Sequence, residues 1–199
     1  MTKKNRSLLI GMILGDGCLY KFKNSSCVQL KIRHCDKQKD YLCFKAKLFE
    51  KATKRKVKVV YRRNSGFRSF EFTRSHKYLR ILYKRIYKGG KKTFSRAILD
   101  QLDEQGLAIW YMDDGNLQIR KEKKSKKING IRVRLFTYCS LAEAKIIQKY
   151  FLEKWKIAWK IYMHKHKFYL QCHTKEGKKF LNLINRHVIP SMKYKILIT

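Results

Sequence analysis

Two apolar runs, each closing on an aspartate and a glycine, limit what this chain can fold into. The first covers residues 8–17 and ends in Gly15-Asp16-Gly17. The second covers residues 107–115 and ends in Asp113-Asp114-Gly115. Asp16 and Asp114 hold equivalent places and stand 98 residues apart in a chain of 199. A separation of half the chain reads as an internal duplication, with repeats over residues 1–98 and 99–199. Each run is about two helical turns long. Neither approaches the roughly 20 residues needed to span a bilayer. A helix that is apolar all round must be buried on most sides. The two runs are therefore expected to bury against each other. Gly11 and Gly15, spaced i, i+4, share one face and open it to a second backbone. Gly17 and Gly115 suit a left-handed residue at a helix C-terminus.

That arrangement sets Asp16 and Asp114 at two helix C-termini, which already carry partial negative charge. Two carboxylates close together there are electrostatically unfavourable unless a cation joins them. Paired carboxylates beside free backbone carbonyls form the oxygen-rich kind of site that Mg²⁺ uses when it also meets phosphate. Either Asp-Gly alone would read as an ordinary turn. The duplicated placement after a buried helix favours the metal site.

Composition names the partner. Forty-nine Lys and Arg stand against fourteen Asp and Glu, for a formal charge of +35. Solubility asks for a magnitude of only about 2–8 in a small domain. Self-repulsion on this scale is relieved by a polyanion, and nucleic acid is the expected one. The charge is spread along the chain instead of lying in one amphipathic helix, which disfavours a membrane surface. Apolar residues make up 44% of the chain, enough to exclude a disordered basic tail. The six cysteines show no C-x-x-C pair, and the first residues show no signal peptide. Reduced thiols in an intracellular, DNA-associated protein are expected. His164, His166, Cys172 and His173 crowd together, but their spacing fits no common zinc module.

Between the runs the chain alternates. Val28, Leu30 and Ile32 fall on one strand face, with Gln29, Lys31 and Arg33 on the other. A hairpin turn is expected over residues 20–26. Asp36 is placed to cap a helix reaching about residue 51. Two more strands, over residues 56–62 and 67–74, flank the turn Asn64-Ser65-Gly66 and carry Lys56, Lys58, Arg62 and Arg68. A helix from Ser75 through Ile86 ends at Gly89-Gly90. The second half repeats the order. Ile131, Val133 and Leu135 alternate with Arg132 and Arg134, after a basic loop over residues 121–129. Ser140-Leu141-Ala142-Glu143 is a capping box opening a helix to about Trp155. Two further strands present Lys156, Lys160 and His164, then Lys167 and Gln171. A last helix covers residues 175–187. Each half thus reads helix, hairpin, helix, hairpin, helix, an α+β arrangement of antiparallel sheets. Each sheet shows cations and amides on its outer face, as β-ribbon readers of DNA do.

These motifs resemble the LAGLIDADG homing endonucleases of the single-chain, two-repeat, intron-encoded type. The residues from Leu9 to Gly17 match the signature helix. The string Trp110-Tyr111-Met112-Asp113-Asp114-Gly115 matches a variant of it, and residues 189–195 match a similar C-terminal string. The resemblance implies two αββαββα repeats with the signature helices packed at a pseudo-twofold axis. It implies that Asp16 and Asp114 are catalytic carboxylates sharing two or three divalent ions, Mg²⁺ by expectation. The carbonyls of Gly15 and Asp113 are candidate further ligands, Asp113 aligning with Gly15. Lys92 and Lys195 match lysines that the family places near each active site. Gln29 resembles a polar residue that positions water or metal. Because the second run has Ile109 and Asp113 where the first has glycines, close approach is expected to rest on Gly11, Gly15 and Ala108.

The function implied is site-specific double-strand cleavage across the minor groove, leaving 3′ overhangs. The partner is duplex DNA with a long asymmetric target, bound by a monomer with pseudo-twofold symmetry. Two alternatives share the fold: an RNA-binding maturase acting on intron RNA, and a DNA-binding regulator that has lost cutting. Loss of a carboxylate would favour either, and both carboxylates are present.

Overall fold

The computed structural model describes residues 1–22, 26–64, 66–122 and 127–197. Helix α1 (Lys3–Leu14) is capped by Thr2, whose side chain accepts the Asn5 N–H. Strands β1 (Cys18–Lys21) and β2 (Val28–Cys35) follow, then α2 (Lys39–Thr53), β3 (Val60–Asn64), β4 (Phe67–Ser75) and α3 (Lys77–Ile86). A short ribbon, β5 (Tyr87–Lys88) and β6 (Lys91–Lys92), leads to the single turn α4 (Arg96–Leu99). The second series is α5 (Glu104–Asp114), β7 (Gly115–Lys121), β8 (Ile128–Cys139), α6 (Leu141–Trp155), β9 (Lys160–His164), β10 (Lys167–His173) and α7 (Thr174–Ile184). The fold is α+β, as the sequence predicts. Its two antiparallel four-stranded sheets have the matching orders β1-β2-β4-β3 and β7-β8-β10-β9.

Alternation sets which face of each sheet is buried. Val28, Leu30 and Ile32 are buried on β2, as are Ile131, Val133 and Leu135 on β8. They pack with the helices into one continuous apolar core. The Ser140 capping box forms as predicted, with the Glu143 carboxylate accepting the Ser140 N–H in return. Several boundaries move. Asp36–Gln38 form a 3₁₀ turn, so α2 starts at Lys39 without a cap from Asp36. His76, not Ser75, caps α3. Lys56 and Lys58 precede β3, and Lys156 closes α6 in a left-handed conformation instead of lying on a strand. The final helix splits into α7 and a 3₁₀ turn over Asn185–His187. The expected turn tips at residues 23–25, Ser65 and 123–126 lie outside the described residues.

Helices α1 and α5 pack together through their small residues. A Cβ on Gly11 would lie 2.3 Å from the Gly106 carbonyl oxygen, and one on Gly106 would lie 2.2 Å from Ser7 Oγ. Gly106, not Ala108, is therefore the partner of Gly11 in the close approach. Ser7 Oγ donates to Asp103 Oδ1 at 2.6 Å and accepts the Asp103 N–H at 2.8 Å, while Asp103 caps α5 at the Gly106 N–H. Gly17 and Gly115 are not left-handed. They are glycines for lack of space: a Cβ would sit 2.4 Å from the Met12 carbonyl oxygen and 2.3 Å from that of Tyr111, respectively. Gly11→Ala pushes backbone against backbone, with no flexible side chain to yield. It should cost about 1–3 kcal/mol by urea denaturation, and a neutral result would mean that the helices sit further apart.

Candidate active site

Asp16 and Asp114 lie at the C-terminal ends of the two paired helices. Each is accompanied by a lysine. Lys92 Nζ donates to the Gly15 carbonyl at 2.6 Å. Lys195 Nζ donates to the carbonyls of Met112 at 2.6 Å and Asp113 at 2.9 Å. Since Asp113 aligns with Gly15, the two contacts are pseudo-symmetric equivalents. The sequence supplies each lysine by a local device. Gly89 (φ 54°) and Gly90 (φ 75°) make the tight β5–β6 turn, and Lys92 pairs with Tyr87 across it. Lys195 ends a 3₁₀ segment opened by Pro190, and its carbonyl accepts the Tyr111 hydroxyl at 3.1 Å.

A second, buried layer holds the first in place. The Asp113 side chain is wholly buried, and both its oxygens are engaged. Oδ1 accepts Lys45 Nζ at 2.5 Å and the Tyr41 hydroxyl at 2.8 Å. Oδ2 accepts the Asp16 N–H at 3.0 Å. Lys45 is itself fully buried and lies 3.0 Å from His34 Nε2. His34 Nδ1 lies 3.1 Å from Gln38 Oε1 and 3.7 Å from Asp16 Oδ2. Tyr41, Lys45 and His34 were not anticipated as site residues, yet their positions carried a signal. Lys45 lies on the stripe Tyr41, Leu42, Lys45, Ala46, Phe49, where an unpaired lysine would be costly. His34 continues the inward series Val28, Leu30, Ile32.

The electrostatics of the site call for a cation. Burial and the neighbouring Asp113 and Asp16 carboxylates push the Asp114 pKa up to about 7. Asp16 is raised by the surrounding protein and by Asp113, with Lys45, Lys195 and Lys92 opposing. Burial lowers Lys92 and Lys195, against the pull of the carboxylates. Burial and Lys45 lower His34 to about 4, so it is neutral at pH 7. Crowded carboxylates, and carbonyls that already draw ammonium groups, are the donor set a divalent ion uses. The residues fit such an ion. Among the described residues, Asp16, His34 and Asp113 also bring ligand atoms within 4.8 Å of one another. The Asp113 oxygens there are already committed to Lys45, Tyr41 and the Asp16 N–H. Asp16 with Asp114 is therefore the more available pair.

The remaining predicted residues fall into place less evenly. Gln29 lies five residues from His34 along β2, about 16 Å at strand rise, and on the other face. It is His34 that β2 brings within 3.7 Å of Asp16, while Gln29 lies on the sheet face that carries Lys31 and Arg33. Lys31, Arg33, Arg62 and Arg68 line the outer face or edge of the first sheet, and Arg132 and Arg134 line that of the second. Lys160, His164 and Lys167 are exposed on β9 and β10, whereas Gln171 is buried under Arg134. Lys56, Lys58 and Lys156 are exposed outside the strands. In the histidine-rich stretch, Cys172 is buried while His164, His166 and His173 are exposed, and among the described residues they form no cluster of metal-ligating atoms.

The model of the LAGLIDADG DNA endonuclease family matches residues 6–180. The chain is 26% identical to the probable intron-encoded endonuclease 1 of Wickerhamomyces canadensis, over 99% of this chain and 85% of that one. It is 31% identical over 129 residues to the probable intron-encoded DNA endonuclease 3 of Mycosarcoma maydis, covering 62% of this chain and 89% of the relative. Among solved structures, the homing endonuclease I-WcaI bound to its DNA recognition sequence superposes with a TM-score of 0.82 at 26% identity. That match covers all of this chain and 88% of the other.

Proposed function

Because this chain belongs to the LAGLIDADG DNA endonuclease family, we propose that it is a monomeric, Mg²⁺-dependent homing endonuclease. It cuts one phosphodiester on each strand of a long asymmetric duplex target, across the minor groove, and leaves 3′ overhangs. The observation that carries this reading is the pair Asp16 and Asp114 at the ends of packed helices, each beside a carbonyl gripped by a lysine. Asp16, Asp114 and the carbonyls of Gly15 and Asp113 would hold the metal. When bound, a divalent ion supplies Lewis acidity and charge compensation at the phosphate.

The chain's own groups do the rest. The N–H of Asp16 is fixed by Asp113, so the Asp16 backbone does not swing away from the helix axis. Lys92 and Lys195 hold their ammonium groups at the site by hydrogen bonds to backbone oxygen. From there they can donate to phosphoryl oxygens as negative charge builds. Neutral His34 offers Asp16 a polar neighbour without a second positive charge. The outer sheet faces supply phosphate contacts that position the duplex and base contacts that select it.

Incubating pooled randomised duplexes with the protein and Mg²⁺ tests the proposal. Discrete cuts with 3′ overhangs are expected, abolished by EDTA while binding persists. Affinity for the selected target should fall by about 10³-fold or more between 50 and 200 mM salt. Cutting that survives chelation, or a flat salt response, would overturn it.

A further inference from the structure

The cationic face of the first sheet contains a carboxylate. Glu71 lies in β4, directly opposite Arg33 of β2, and its side chain is only 7% exposed. Arg33 covers it with Nε at 2.8 Å and Nη2 at 2.5 Å from Oε2. Lys31 Nζ lies 3.2 Å from the same oxygen. From the other side, Arg62 of β3 donates its Nε to Oε1 at 2.9 Å. One carboxylate thus ties together three cations from both neighbouring strands. Burial would raise its pKa, but the hydrogen bonds from Arg33, Arg62 and Lys31 hold it down to about 2. The second sheet makes the same cross-strand contact without the charge. Gln171 of β10 lies opposite Arg134 of β8 and accepts its Nε at 2.9 Å, while Gln118 accepts Nη2 at 3.0 Å.

An acid on a surface that must meet phosphate is a handicap for affinity. It repels the backbone and cancels part of the attraction that the arginines supply. What it gives in return is geometry. An arginine reads guanine through two parallel N–H bonds to O6 and N7, and this requires a fixed guanidinium plane. A free surface arginine has rotamers to lose on binding and can turn to a phosphate instead. Arg33 is pinned by two of its nitrogens and Arg62 by its Nε, and both side chains stay part-exposed, so further N–H groups remain for a ligand on a guanidinium whose plane Glu71 holds.

We propose that Glu71 is a specificity-determining positioning residue: it fixes Arg33 and Arg62 as preset base-reading forks for the half-site under the first sheet, at the expense of non-specific affinity. The second half-site is read against neutral amides, so the two halves differ in stringency. The proposal rests on the reading above that the sheet faces dock duplex DNA.

The test uses the full chain, its selected target, single-base variants of that target and an unrelated duplex. Glu71→Gln should bind the unrelated duplex about 3–10-fold more tightly, with a slope against log salt steeper by about one ion. The penalty for base changes under the first sheet should shrink by about tenfold or more, with penalties under the second sheet unchanged. Arg33→Lys keeps the charge but lacks the fork. It should relax the same base positions with no gain in non-specific affinity, which guards against a Glu71→Gln protein that folds poorly. Unchanged penalties in both half-sites, or an equal loss in both, would overturn the role assigned to Glu71. A wild-type protein with no sequence preference would overturn the proposed function itself, and this role with it.

Discussion

Asp114→Asn should reduce cleavage of the selected target by about 10³-fold or more while leaving binding within a few-fold of wild type. Asp16→Asn should behave alike, because the proposed mechanism needs both carboxylates at the helix ends. The same Asp114 substitution should raise stability in the absence of metal. The sign follows from the pKa near 7. A carboxyl whose folded pKa lies above its unfolded value near 3.9 costs nothing when protonated. Its cost grows as pH rises from about 4 to 7, and stays constant above. Asparagine never ionises, so metal-free Asp114→Asn should melt at least about 2 °C higher than wild type at pH 8. The difference should vanish near pH 4. Lost cutting with gained stability is what a site kept for function shows. Lost cutting with lost stability would make Asp114 a structural residue instead.

The largest effect on stability is expected at Lys45. Its ammonium and the Asp113 carboxylate are both fully buried, 2.5 Å apart. Lys45→Met leaves Asp113 as an uncompensated buried charge, at a cost of about 3–5 kcal/mol. Pairing it with Asp113→Asn removes that charge and should recover most of the loss, since the amide oxygen can still accept the Asp16 N–H while its NH2 donates to the Tyr41 hydroxyl, which keeps the Ile109 carbonyl as its own acceptor. Urea denaturation of the two single variants and the double variant closes the cycle. Additive losses would mean that the two groups do not interact in solution. Cleavage should track the pair as well. With Asp113 displaced, Asp16 loses the hydrogen bond that fixes its backbone.

These two predictions fall on opposite sides of what the sequence made legible. Asp16 and Asp114 could be read from the duplicated apolar runs, because two buried helices of that length have few places to go. Lys92 and Lys195 followed from the family resemblance, and the structure puts both on site carbonyls. The β2 and β8 alternations and the Ser140 capping box are local patterns, and local patterns survive folding. Tyr41 and Lys45 reach Asp113 across 72 and 68 residues, respectively, a contact that no local pattern encodes. Gln29 came from the resemblance alone, whereas His34, on the opposite face of β2, shows its place at the site only through its approach to Asp16. The glycines after each aspartate were read as left-handed caps, whereas the constraint is collision with the last helical turn. Glu71 was overlooked because a single acid among many cations looks incidental until the sheet register sets it opposite Arg33.

The central claim is that the ends of α1 and α5 form one metal site. Anomalous scattering from Mn²⁺ in crystals of the protein on its uncut target tests it most directly. The expected result is density shared by the carboxylates of Asp16 and Asp114, with Lys92 and Lys195 released from at least one of the carbonyls they now hold. Density confined to Asp16, His34 and Asp113, or none at the helix ends while both lysines keep their present partners, would contradict it.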